Sequence, residues 1–505
     1  MFDNWMWLNW SLMGLSFAVL IGLGIRAARI ADSGDESGFL IAGRSLGPFV
    51  GAATIMATGY SGWGFVGSPG VAYEYGAIEV LGNFLFGPAF VLAILFFAQF
   101  LRARAQAIGC CTIPEYIARE HGAGRWVNVL QAISAVIIVV LLLVFLVSQI
   151  KAVGLLGARW LDIDLAASAT LMIAVVVLYT LLGGLAAVAW TDTIMLCGMM
   201  LAAVVIVGQM LGDTSIGGLI AELRAIDPAL VDPQDSGPYG ASRGSVFTIL
   251  AYATLWAAVL PYMGMRFMAF RSDVKMRTVA LYAAPMGVVL SLVPLVGLYV
   301  RARVGGLDDS DEAMPVYLTT FLHPAVGAVI TLCILFAMKS TANSILHTVS
   351  SAVSHDLRQA LFPHRTFSAS ATLWINRGAV AVLGVLALVL MLYAPPFLLS
   401  WLGILGTGTL LAATVAPVFV SVFWRGNAYG ALASMLTGTL TSGGLLLFSG
   451  AGWMIGPLAG CAVATVAYVA VSWSTFSIQP RVDAGVADRS DAAVPSPAAG
   501  RLARG

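Results

Sequence analysis

The sequence predicts an all-α integral membrane protein of about thirteen transmembrane helices, and three observations carry that expectation. Of the 505 residues, 59% are apolar and only 10% carry a formal charge, whereas about a quarter are charged in an average soluble domain. Apolar runs of about twenty residues, the length that crosses a bilayer as helix, recur along nearly the whole chain. These runs do not alternate as barrel strands do, so helices are left to satisfy the backbone in hydrocarbon.

Spans are expected near 6-29, 48-72, 77-101, 126-150, 165-186, 190-211, 245-269, 277-301, 324-354, 371-393, 397-423, 427-449 and 452-474. The first run follows Met1-Phe2-Asp3 without a basic stretch and without a small-residue cleavage pattern, so it reads as a persistent span rather than a signal peptide. Residues 1-37 form an extra helix and loop, 38-425 a core, and 426-474 two C-terminal helices. Residues 475-505, with Pro480, Pro495, Pro497 and mixed charges, read as a disordered cytoplasmic tail. Five cysteines, odd in number and mostly inside apolar runs, argue against a disulfide framework or a metal cluster.

An odd number of spans puts the two chain ends on opposite sides of the membrane, and the Lys/Arg bias assigns the sides. With the N-terminus outside, nineteen of the 26 Lys and Arg residues fall inside, among them Arg26, Arg44, Arg102, Arg104, Arg119, Arg266, Arg358 and Arg425. Lys151, Arg159, Arg224, Arg243, Arg301 and Arg303 fall outside with the acidic loop Asp213 to Asp235, while Lys339 lies within a span. The expected location is the plasma membrane, multi-pass, with the C-terminus cytoplasmic. A net charge of +1 gives no reason to expect a nucleic-acid partner, and no obligatory protein partner is evident. No Walker A sequence is present, and no nucleophile and base set suggests an enzyme.

Two spans are interrupted. The second carries Gly59, Gly62, Gly64, Gly67, Pro69 and Gly70, and the seventh carries Pro261 and Gly264. Glycine costs about 1 kcal/mol and proline about 3 kcal/mol relative to alanine inside a helix. Unwound backbone at mid-membrane offers carbonyls to a cation and amides to an anion, and matched broken helices mark transporter sites. These two spans correspond if the second opens one set of five and the seventh opens another, giving repeats of about 48-211 and 245-423. Singly, such residues can equally serve close packing. The ninth span is polar along Ala337, Lys339, Ser340, Thr341, Asn343, Ser344 and His347. Ala337, Ser340, Thr341 and Ser344 share one helical face, so hydroxyl and carbonyl oxygens converge there. Oxygen ligands suit a small hard cation, although Ser and Thr hydroxyls also commonly bond back to their own helix.

The order and spacing of several motifs resemble the sodium:solute symporter family, near its sodium/proline and sodium/pantothenate branches. The motifs are Gly43-Arg44-Ser45-Leu46-Gly47-Pro48, Ser61-Gly62-Trp63 with Pro69-Gly70, Gly183-Gly184 through Trp190-Thr191-Asp192, Arg266-Phe267-Met268-Ala269, and Ser340-Thr341 with Ser350-Ser351-Ala352. The resemblance implies a leucine-transporter-like five-plus-five inverted repeat with broken helices, importing a small polar solute, an amino acid or carboxylate, with Na+ as coupling ion. It implies sodium ligands at the carbonyls of Ala57, Tyr60 and Ala337 and the hydroxyls of Ser340 and Thr341, with Asp192 nearby. The solute pocket is expected between the two interruptions, near Ser61, Gly62, Trp63, Trp256, Pro261 and Tyr262.

Three departures from the family pattern stand out. The proline branch has an aspartate where this chain has Gly59, and an aromatic pair where it has Ala253 and Ala257, so proline is a doubtful solute. Lys339 adds a costly intramembrane ammonium that needs a partner, with Asp192 or Glu79 as candidates. A Lys339-Asp192 pair with a coupling role is therefore expected beside the cation site. Two alternatives follow: a proton-coupled or sodium-independent carrier in which Lys339 replaces the cation, and a transporter-like membrane solute sensor.

Overall fold

A computed structural model describes residues 5–30, 36–232, 238–239, 244–365, 367–394, 399–450 and 452–479. Most of the tail expected at 475-505, its arginines and Arg243 lie outside the described residues. The chain is helical nearly throughout: α1 (Met6–Ile30), α2 (Glu36–Ile41), α3 (Pro48–Gly59), α4 (Ser68–Tyr75), α5 (Ala77–Ala107), α6 (Ile113–His121), α7 (Arg125–Leu161), α8 (Leu165–Asp213) and α9 (Ile216–Ile226). There follow α10 (Ser245–Val259), α11 (Pro261–Met268), α12 (Met276–Arg303), α13 (Ala313–Thr320), α14 (Pro324–Leu361), α15 (Ala369–Tyr393), α16 (Leu399–Phe423), α17 (Ala428–Phe448) and α18 (Ile455–Thr475).

Among the described residues ten helices are long and apolar enough to cross a membrane, or eleven with the bent pair α10 and α11 counted as one span. The expected spans 48-72 and 165-186 appear instead as the shorter apolar helices Pro48–Gly59 and Leu165–Leu181. Their shortness has visible causes. α3 stops at the first glycine-rich interruption, and α8 turns at Gly184, whose φ of 56° lies in the left-handed region. A Cβ on Gly184 would stand 2.8 Å from the Phe39 carbonyl oxygen, so conformation and space both call for glycine.

Enclosure differs sharply between helices. The apolar windows of α16 and α14 are 83% and 72% buried, against 17% for α1. That explains how α14 tolerates so many polar residues: it meets protein rather than lipid. The Gly43-Arg44-Ser45-Leu46 motif braces the end of α11. The Leu46 amide donates to the Ala269 carbonyl at 3.0 Å, and Arg44 donates to the carbonyls of Met268 and Cys110 at 3.2 and 2.9 Å.

The ion pairs keep to two sets. Arg104 and Arg425 both hold Glu120, at 2.7 and 2.6 Å, Arg119 holds Glu115 at 2.5 Å, and Arg358 holds Glu36 at 2.8 Å. The other set pairs among itself, Lys151 with Asp311, Arg159 with Glu312, and Arg303 with Asp213 and Glu222. Arg266, counted above with the inner arginines near the end of its span, is 1% exposed within α11.

Close backbone approach fixes α12 against α4. A Cβ on Gly297 would lie 2.0 Å from the Pro69 carbonyl oxygen and 2.8 Å from the Tyr73 amide. Gly297→Leu should therefore overpack this contact by about 1–3 kcal/mol. A thermal unfolding scan of the purified protein should show a lower midpoint, while Gly444→Ala, inside α17 and with nothing within 4 Å of its Cβ position, should not lower it. Equal midpoints for Gly297→Leu and the parent would contradict this packing.

Candidate ion and solute site

The first interruption is an opened stretch of backbone at residues 60–62 between α3 and the helical segment Trp63–Gly67. In unbroken helix the Gly62 and Trp63 amides would bond the Thr58 and Gly59 carbonyls. Here Gly62 donates to Gln149 Oε1 at 3.0 Å and Trp63 to Ser61 Oγ at 3.1 Å. The carbonyls at the end of α3 are thereby turned over to α14. Ser340 Oγ donates to the Ala57 carbonyl at 3.0 Å and to that of Ala337 at 2.9 Å. Thr341 Oγ1 donates to the Thr58 carbonyl at 3.0 Å and lies 3.4 Å from that of Ala337. Ala57, Ala337, Ser340 and Thr341 thus converge as expected. The Thr58 carbonyl, rather than that of Tyr60, receives the Thr341 hydroxyl, and the Tyr60 hydroxyl donates to the Gly287 carbonyl at 3.2 Å. This is an all-oxygen cluster, and each hydroxyl can rotate to offer a lone pair instead of its proton.

Beside it lies a buried ion pair. Asp192, 0% exposed, accepts from Thr54 Oγ1 at 2.5 Å and from Arg266 Nη2 at 3.1 Å, with Thr58 Oγ1 at 3.4 Å. Arg266 also donates to Ser344 Oγ at 2.5 Å, to Thr54 Oγ1 at 2.9 Å and to the Tyr262 carbonyl at 2.8 Å. One guanidinium therefore joins α3, α8, α11 and α14. Among the described residues, Asp192 Oδ1 has no hydrogen-bond partner.

The expected Lys339-Asp192 pair does not form, because Asp192 already holds Arg266. Lys339 is fully buried, with Nζ 3.8 Å from Met13 Sδ and 4.7 Å from the centroid of the Phe17 ring, both on α1. The reason is angular: Lys339 stands about 100° around α14 from Ser340, so it leaves the ion-facing stripe. Glu79, the other candidate partner, takes the hydroxyls of Ser68 and Tyr239.

The second interruption is a 56° bend between α10 and α11. Leu260 is extended there at φ −63°, ψ 134°, and Pro261, which lacks an N–H, starts α11. Between the two interruptions lies a cavity of about 20 Å³, lined by Gly59, Ser61, Trp63, Phe86, Phe145, Tyr252, Trp256, Gly403, Ile404, Thr407 and Met454. Of the expected solute residues, Ser61, Trp63 and Trp256 line it. Gly62 is bound to Gln149, Pro261 opens α11, and Tyr262 packs on Trp256 and Phe145 at ring distances of 6.1 and 6.3 Å.

Sequence reading missed Gln149, Thr54, Thr58, Phe86, Tyr252 and Thr407, and it did not foresee the pairing of Arg266 with Asp192. Tyr252 had a usable signal, since it lies four residues before Trp256 and so shares its face. Gln149 and Phe86 come from distant helices and had none. Gly59 is explained by packing: a Cβ there would fall 2.2 Å from Phe90 Cζ, so no side chain fits.

Comparison with known proteins agrees with this architecture. The chain is 28% identical over 443 residues to the osmoregulated proline transporter of Bacillus subtilis, covering 85% of this chain and 87% of that relative. It is 27% identical over 429 residues to the sodium/pantothenate symporter of Haemophilus influenzae, covering 81% and 85%. Its fold resembles a Na+-coupled sialic acid symporter in a substrate-bound outward-open state, with a TM-score of 0.73 at 16% identity over 94% of this chain and 98% of that one. It also resembles Mhp1, a nucleobase-cation-symport-1 family transporter, with a TM-score of 0.56 at 16% identity over 88% and 96%. The sequence pattern of the sodium:solute symporter family spans residues 39–438, and with this match the chain, a multi-pass membrane transporter and not an enzyme, belongs to that family.

Proposed function

We propose that the chain is a plasma-membrane symporter that imports a small polar solute by alternating access, driven by sodium entry. The observation that carries this reading is the meeting of the Ser340 and Thr341 hydroxyls with carbonyls at the opened end of α3. Sodium is the cargo that such oxygens would hold: the carbonyls of Ala57 and Ala337 and the two hydroxyls, with Tyr60 as a further carbonyl ligand. In this role each hydroxyl gives up its bond to a carbonyl and turns a lone pair to the ion. The unpartnered Asp192 Oδ1 adds negative charge beside the cluster.

Coupling follows from the position of the interruption. The carbonyls that face α14 and the residues that line the solute cavity, Ser61 and Trp63, belong to one stretch of α3 and its opening. An ion that orders this stretch prepares the solute site, and by linkage the solute tightens the ion to the same degree. Transport units of about 48-211 and 245-423, each opening on an interrupted helix, are the parts that would move. The Lys/Arg bias favours an outer N-terminus and a cytoplasmic C-terminus. Replacement of the cation by Lys339 draws no support, because the ammonium faces Met13 and Phe17.

Uptake into proteoliposomes tests the reading. Thr341→Ala and Ser340→Ala should each raise the sodium concentration for half-maximal uptake about tenfold or more, which corresponds to ~1.4 kcal/mol. Unchanged sodium dependence in both would sink the assignment. Lys339→Met should keep the sodium dependence of the parent, and a shift from sodium to pH dependence in that variant would restore a coupling role for the ammonium.

A further inference from the structure

The aromatic character of the central cavity points beyond sodium symport to the chemistry of the solute. Five of the residues lining it are aromatic, Trp63, Phe86, Phe145, Tyr252 and Trp256, and no charged side chain is among the lining residues. Rings on this wall are inclined to one another: Phe86 meets Trp63 at 54°, Trp256 at 81° and Tyr252 at 71°, with centroids 5.0, 5.8 and 6.5 Å apart. An ammonium brought against the faces of such rings is attracted to their quadrupoles.

Hydrogen-bonding groups around the cavity favour an acceptor over a donor. Ser61 Oγ already accepts from the Trp63 amide, and Thr407 Oγ1 donates to the Gly403 carbonyl at 2.7 Å. Among the described residues, the buried side-chain polar atom on this wall without a partner is Trp63 Nε1, which can only donate. A carboxylate would give that indole N–H its missing acceptor. An ammonium rich in N–H groups would find no carboxylate to answer it, whereas a fully alkylated ammonium asks for no acceptor and offers its methyl groups to the rings.

We infer that the solute is a compact zwitterion with a quaternary ammonium and a carboxylate, the ammonium held by Trp63, Phe86, Tyr252 and Trp256. This rests on the symport reading and narrows it. At about 20 Å³ the cavity in this form is narrow, with the rings in contact with one another. Opening exchanges those ring contacts for contacts with the ligand.

The decisive experiment is a methylation series of glycine, N-methylglycine, N,N-dimethylglycine and N,N,N-trimethylglycine, tested for sodium-driven uptake and mutual competition in proteoliposomes. Apparent affinity should rise along the series, by about tenfold or more from end to end. Trp256→Phe should keep that gain and Trp256→Leu should lose it, with both variants checked for an unchanged thermal midpoint. Affinity that is flat or falls with methylation, or no uptake of any member, overturns the inference, since recognition would then run through N–H groups or another solute class. The symport reading is decided separately by a sodium-induced rise in thermal midpoint that Thr341→Ala abolishes. If that rise is missing from the parent protein, the symport reading falls as well.

Discussion

A backbone amide or carbonyl that leaves its helix inside a bilayer has no water to turn to, and each one left unpaired costs several kcal/mol. The opening at residues 60–62 meets this constraint with side chains from three directions: Gln149 takes the Gly62 amide, Ser61 takes that of Trp63, and Ser340 and Thr341 take carbonyls at the end of α3. These are substitutes of unequal kind. The Gln149 amide oxygen can only accept, but the carbonyl partners are hydroxyls, which can exchange a proton for a lone pair without moving the chain. On the proposed reading, a structural need of the broken helix and a binding site for a small cation are met by the same two residues.

The Asp192 and Arg266 pair answers a second need. Removing one partner of a buried ion pair typically costs 3–5 kcal/mol because the other charge is stranded, so such a pair holds its surroundings in place even where its net contribution is small. Arg266 spends its donors on Asp192, Ser344, Thr54 and the Tyr262 carbonyl, and so pins α11 to three other helices. Lys339 shows the contrast. Its ammonium has sulfur and a ring face for company, a softer environment that suits packing of α1 against the bundle better than ion exchange.

Composition and run length made the membrane class and the order of helices readable, because hydrocarbon imposes them through length and polarity alone. Both interruptions were readable too, since Gly59, Gly62 and Pro261 act locally on the backbone. The convergence of Ala57, Ala337, Ser340 and Thr341 came from the family resemblance, and helix geometry supplied only the shared face of the α14 residues. Partner choice was beyond reach. Whether Asp192 meets Lys339 or Arg266 depends on which face of α14 turns to α1 and how deep α11 sits, and neither is encoded in local pattern. The burial of Arg266 was out of reach for the same reason: near the end of a bent half-helix, a few residues of depth separate an interfacial arginine from a buried one.

Continuity between the two interruptions gives the fold its capacity to couple. From the oxygen cluster, Thr58 leads through Asp192 to Arg266, and Arg266 holds the carbonyl of Tyr262, whose ring packs on Trp256 at the cavity wall. Each link is a hydrogen bond or a ring contact between groups that are almost fully buried, so none can shift without its neighbour being left unpaired. Spatial continuity alone does not establish a coupling path. In the proposed mechanism both ends would be bistable: the hydroxyls of Ser340 and Thr341 would either donate to carbonyls or face an ion, and the aromatic rings would either meet each other or meet a solute. Two such ends joined through a single guanidinium favour the concerted states over the mixed ones, which is the condition for an ion gradient to be spent on moving a solute.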